Sequence, residues 1–115
     1  MKPLIEDLNE FYAENVRLVK NLWKRENDRE YPESLKWALQ MLYFDGEEWL
    51  QICRIDNYLH EGETGSHIHI YKKKEVRREP LSFQEAEIVI KKISATILIE
   101  KFNQQIDFGD DTHEN

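Results

Sequence analysis

A single cysteine, Cys53, in a chain of 115 residues excludes an internal disulfide and a cysteine-rich zinc site. It also suits a reducing, cytoplasmic setting, where thiols stay free. Long apolar runs are missing as well. A membrane-crossing helix needs roughly 20 consecutive apolar residues, and this chain offers a few at a time, so no membrane partner is expected. The N-terminus, MKPLIEDLNEF, has acids where a signal peptide would carry its apolar core. No internal repeat is visible.

Positive charge is in deficit. The net charge of −7 argues against coating nucleic acid with the whole surface. The deficit is uneven, however. Asp107, Asp110, Asp111 and Glu114 follow Ile106 with no Lys or Arg among them. These acids and Gly109 have little apolar area to offset the entropy of ordering. The expectation is a single domain over 1–106 and an acidic disordered tail over 107–115, with His113 in the tail. The body is nearly balanced, so a local basic patch can still attract phosphate.

What is present reads as an α+β domain. Leu4, Ile5, Leu8, Phe11, Tyr12, Val16, Leu18, Val19, Leu22 and Trp23 recur at helical spacing after Pro3, which predicts a first helix over 3–25. From Leu35 the period becomes two, and strands are predicted from Leu35, over about 47–58 and over about 67–74. Ser82 and Glu85 form a capping box that opens a helix to about Phe102. That helix has two apolar stripes, so two elements should cover it. The expected order is α-β-β-β-α: a three-stranded antiparallel meander with both long helices packed on one face.

A three-residue loop at Phe44–Gly46 would place Tyr43 opposite Glu47 and Met41 opposite Trp49. One apolar face then contains Leu35, Trp37, Leu39, Met41, Tyr43, Trp49, Cys53, Ile55, Ile68 and Ile70. The other carries Arg54, Asp56, His67, His69, Tyr71 and Lys73, with Asp56 across from His69 and Arg54 across from Tyr71. Leu42, Leu50 and Ile52 share that polar face and need a cover.

The stretch ICRIDNYLHEGETGSHIHIYKKK therefore gathers chemistry: His60, His67 and His69 fall within ten residues. Imidazoles titrate near neutrality and can act as base and acid. Arg54 can stabilise a developing negative charge, Asp56 can orient an imidazole, and Tyr71 adds a phenol. Lys72, Lys73, Lys74, Arg77 and Arg78 are candidates for holding phosphates. Together they fit a metal-independent ribonuclease that needs no cofactor. Two other readings stay open. One is a small metal-binding protein using His67 and His69 with His60 or Asp56. The other is a non-catalytic interaction module, a homodimer formed through Leu42, Leu50, Ile52 and the second helical stripe.

Arg54, Asp56, Asn57, His60, His67 and His69 resemble the Arg-Tyr-Asp-Asn…His-x-His signature of small prokaryotic proteins grouped as TumE-like toxins. They are similar, too, to a related set of uncharacterised archaeal and bacterial proteins. The likeness runs from about Met41 to Phe102, with Ile55 where those proteins usually have Tyr. It implies a toxin-like protein of a toxin–antitoxin module, directed at RNA and held in check by an antitoxin protein.

Overall fold

A period of two, not the helical one, governs the first residues of the chain. In the computed structural model, which describes residues 1–59 and 63–109, six strands precede one helix. The strands are β1 (Lys2–Ala13), β2 (Val16–Lys24), β3 (Leu35–Phe44), β4 (Trp49–Asp56), β5 (Ser66–Ile70) and β6 (Val76–Glu79), and the helix is α1 (Phe83–Phe102). All pair antiparallel with their chain neighbours, giving one sheet in the order β1 to β6.

The expected α-β-β-β-α arrangement is thus corrected. Residues 3–25 are not a helix but the hairpin β1–β2, turned at Glu14–Asn15. The misreading has a physical source. β1 carries register shifts between Pro3 and Ile5, between Ile5 and Leu8, and between Phe11 and Ala13. Each adds one residue to the repeat of two, so Ile5 and Leu8 share a face three residues apart, and with Phe11, which projects from the other face, they imitate a helical spacing. Asp7 takes a left-handed φ of 45° in the middle shift, a conformation Asp tolerates better than most residues. In β2 the alternation is plain: Val16, Leu18 and Lys20 are buried while Arg17, Val19 and Asn21 are half-buried. The meander β3–β4–β5 is the middle of a larger sheet, and the polar stretch after it contributes the exposed edge strand β6.

The core lies between this sheet and α1, which packs on β3 and β4. Val16, Leu18, Trp37, Leu39, Met41, Cys53, Ile55 and Ile68 meet Phe83, Ala86, Ile90 and Leu98. α1 begins with the expected capping box, Ser82 and Glu85 each accepting a backbone N–H of the other. It ends at Asn103 in the left-handed conformation. Its second apolar stripe is only partly used. Phe102 stacks against Tyr43 and Tyr71, while Ile88 and Ile99 stay exposed because the first helix that was to cover them does not exist.

Polar anchoring joins α1 to the hairpin. Lys20 is buried, with Nζ 3.0 Å from Glu10 Oε2 and 3.0 Å from Glu87 Oε1. Burial alone would lower its pKa, but the hydrogen bonds to both carboxylates hold it above the ordinary lysine value. Lys91 reaches Glu87 Oε2 at 3.2 Å and lies over the Tyr12 ring. The domain also runs past Ile106, since Phe108 is buried edge-on against Tyr12. Residues 110–115, His113 among them, fall outside the described ones.

The loop after β3 has four residues rather than three. Asp45 N–H donates to the Glu48 carbonyl, and Asp45 Oδ1 accepts from Glu47 and Glu48. Phe44 therefore pairs with Trp49, and a bulge follows: Met41 faces Cys53 but Leu42 faces Gln51, leaving Ile52 surplus. Consequently Trp49 does not face Met41 in the core but projects from the other side, next to Phe44 and Phe11. Ile52 joins the core, and Leu42 is 8% exposed. The surface expected to form a dimer is largely inside the molecule.

The hairpin makes a prediction. Leu18 is fully buried and Leu8 is 44% exposed. Leu18→Ala should cost about 2–5 kcal/mol in denaturant unfolding, and Leu8→Ala less than about 1 kcal/mol. Similar costs for the two would point back to a helix that buries both.

Candidate functional site

α1 covers one face of the sheet, and the other is its open face. β4 and β5 bring Arg54, Asp56, His67 and His69 to that face, because Cys53, Ile55, Ile68 and Ile70 point toward α1. The cross-strand register differs by two residues from the expected one. Asp56 pairs with His67, and Arg54 with His69. The expected pairs Asp56–His69 and Arg54–Tyr71 are thereby corrected, although the facing survives because the shift is even.

Asp56 is the centre of the cluster. It is 1% exposed, so its carboxylate depends on protein partners. Arg54 Nε donates to Asp56 Oδ2 at 2.8 Å, and Tyr58 N–H donates to Oδ1 at 3.0 Å. His69 Nε2 stands 3.9 Å from the same Oδ2, an ion-pair distance beyond direct hydrogen bonding. Arg54 Nη1 also donates to Gln40 Oε1, and its guanidinium lies 5.1 Å from the Tyr58 ring centre. Arg54 and His69 keep about a quarter of their side-chain surface exposed, 27% each. His67 is 2% exposed, so it stands behind them rather than at the surface as expected.

The cover over Asp56 comes from a segment with no functional signal in the sequence. Tyr31, in the connector after β2, donates its hydroxyl to the Asn57 carbonyl. Burial, with the charges of Glu33 and Asp56 nearby, pushes the Tyr31 phenol up to about 12. Asn57 is itself a strap. Its side chain accepts from Trp37 N–H and donates to the Leu35 carbonyl, each at 2.8 Å. In the sequence it stood out only as part of the Arg-x-Asp-Asn run that begins at Arg54. Lys36 lies over the rings of Tyr31 and Tyr58 and completes the surround.

The remaining expected site residues disperse. Tyr71 leaves β5 toward α1 and stacks on Phe102 at 5.4 Å, so it does not join Arg54. Lys72 and Lys73, with Tyr71, Lys101 and Phe102, line an open groove of about 480 Å³ beside the end of α1. Lys74 is exposed in the same connection. Arg77 pairs with Ile68 on the helix side and bonds Glu79, while Arg78 pairs with His67 on the open face and forms an ion pair with Glu63. Only Arg78 of the five expected phosphate-binding residues shares the face of the imidazoles. For the metal reading, no group of three or more His, Cys, Asp or Glu among the described residues is arranged to hold an ion. His60 lies outside the described residues. No helix among them is long and apolar enough to cross a membrane.

Compared with known proteins, the chain matches no family model, no curated protein and no solved structure. The likeness to TumE-like toxins therefore stands on its short motif alone.

Two outcomes follow from this geometry. The Tyr31 phenol is raised above its ordinary value of about 10, so its contribution is complete below that pH and is lost as pH climbs toward 12. Tyr31→Phe should be less stable than the parent by about 1 kcal/mol at neutral pH. Urea unfolding across the alkaline range should show that gap closing, and a constant gap would deny the coupling. Cys53 is fully buried and its thiol is pushed up to about 12 by burial. Iodoacetamide at mildly alkaline pH should leave the folded protein unmodified by mass spectrometry and label it completely in denaturant.

Proposed function

We propose that this protein is a toxin-like, RNA-directed protein whose site is the Arg54–Asp56–His69 cluster on the open face. The observation that carries the reading is the convergence of a guanidinium and an imidazole on one carboxylate oxygen, Asp56 Oδ2, with both side chains still reaching solvent. A buried carboxylate between two such groups holds them in fixed positions and leaves their outer edges for a substrate.

The chemistry that suits this arrangement is transesterification of an RNA strand. His69 takes the proton from a 2′-hydroxyl, and the oxygen attacks the adjacent phosphorus. The P–O5′ bond breaks, the 5′ oxygen leaves with a proton from solvent, and a 2′,3′-cyclic phosphate remains. Arg54 faces the negative charge that grows on the phosphoryl oxygens. Asp56 and the buried His67 position Arg54 and His69 and do not themselves touch RNA. An antitoxin protein would cover the same face.

Expression in bacterial cells without an antitoxin tests the reading. The parent should arrest growth and produce RNA fragments ending in cyclic phosphate. His69→Ala and Arg54→Ala should abolish both while retaining the circular dichroism of the folded protein. Normal growth with abundant, folded parent protein would sink the proposal.

A further inference from the structure

The open face extends well beyond that cluster, and its composition differs from the rest of the chain. Across β2–β6, register and alternation place four cationic residues on it, Arg17, Lys36, Arg54 and Arg78, and one carboxylate, Asp56. In a chain with a net charge of −7, the strands of this face carry more cations than acids, and Glu63 meets them at Arg78. Arg78 is engaged by Glu63, and Arg54 by Asp56. Arg17 and Lys36 instead lie over aromatic rings.

Those rings form two groups at opposite ends of β3. Near Phe44, the Arg17 guanidinium sits 4.3 Å from the centre of the Trp49 ring and 5.9 Å from that of Phe11. Trp49 also meets Phe44, at 5.4 Å between ring centres. Phe11 is 57% exposed. Arg17 Nη1 donates to Asn9 Oδ1, which fixes the guanidinium over the rings. Near Lys36, the ammonium lies 4.5 Å from the Tyr58 ring, which in turn meets Trp23. Lys36 and Phe44 stand eight positions apart on β3, roughly 26 Å at strand rise. Arg54, Asp56 and His69 lie between the two groups, across from Gln40 and Ala38.

We infer that the open face is a platform for single-stranded RNA, with Trp49 and Phe11 stacking bases at one end and Arg17 taking a phosphate beside them. The inference rests on the RNA-directed reading of the Arg54–Asp56–His69 cluster and extends it to substrate form. Aromatic faces can stack only on bases freed from a duplex, and cations interleaved with rings follow the alternation of base and phosphate along a strand. The side-chain amides of Gln40 and Gln51, on the same face, can bond base edges. A protein partner is the competing occupant, but a face whose strands carry four cations to one carboxylate is complementary to a polyanion.

Fluorescence anisotropy tests this, using a fluorescein-labelled oligoribonucleotide of mixed sequence and about 12 nucleotides, within the usual site sizes of single-strand binders. The full chain carries His69→Ala so that the probe is not cut. Binding should weaken about tenfold in Trp49→Ala and recover in Trp49→Phe, as loss and return of one stacked base require. Arg17→Gln should weaken binding and flatten its dependence on salt. A duplex of the same sequence should bind less well. Absence of binding by the folded protein, or equal affinity in Trp49→Ala and Arg17→Gln, would overturn the platform. So would a dimer, seen by sedimentation, that Trp49→Ala converts to monomer without changing RNA affinity. Growth arrest without RNA binding would reject the platform and leave the toxin reading standing. Trp49-dependent binding without growth arrest would do the reverse.

Discussion

One helix covers one face of a six-stranded sheet, and the rest of the molecule follows from that imbalance. α1 is long enough to bury the inner side chains of β2 to β5 against Phe83, Ala86, Ile90 and Leu98. Among the described residues, nothing comparable lies on the other side. A sheet with one covered face usually alternates apolar and polar residues and leaves the polar side to water. Here the open side is neither plainly wet nor plainly apolar. It holds a buried carboxylate roofed by a connector, cations laid over rings, and amides between them. Arg54, Asp56, His67 and His69 all lie on it.

Charge is handled differently on the two sides. Under α1, Lys20, Lys91, Glu10 and Glu87 satisfy one another, and Lys20 gains enough from its two carboxylates to overcome its own burial. That network pins the helix to the first hairpin. On the open face, Asp56 is just as deeply placed, but Arg54 and His69 retain exposed surface. Both clusters contain acids and bases in contact.

Facing was legible in the sequence where the period of two ran unbroken. Leu35, Trp37, Leu39 and Met41, with Cys53, Ile55, Ile68 and Ile70, lie on the covered side as their alternation required, and Ser82 with Glu85 marked the helix start. Pairing was less legible, because it depends on turn length. Asp45 drew two backbone N–H groups into a four-residue loop, and every partner across β3 and β4 moved with it. The first hairpin was hidden by its own bulges, one of which puts Ile5 and Leu8 on one face at a helical spacing of three. Of the site, Arg54, Asp56, His67 and His69 were visible from strand alternation. Tyr31 was not, since it arrives from a connector whose fold no local pattern announces. Tyr71 was misassigned because the strand ends at Ile70, and the chain turns before its alternation can continue.

The surplus residue at the β4 bulge has a consequence for length variation in this chain. Alternation runs from Asp56 back to Cys53 and resumes, in the same sense, from Gln51 to Trp49, with Ile52 outside the count. Residue 52 is therefore the position in β4 where a deletion would leave every other side chain of the strand on its present side. Loss of any other residue of that strand would have to be absorbed by the bulge or would invert whatever lies beyond it. Such a deletion is not without cost. Ile52 is fully buried, and its carbonyl accepts the Tyr71 N–H that holds the end of β5. A shortened relative that lacked this residue would keep the layout of the open face and give up part of the core.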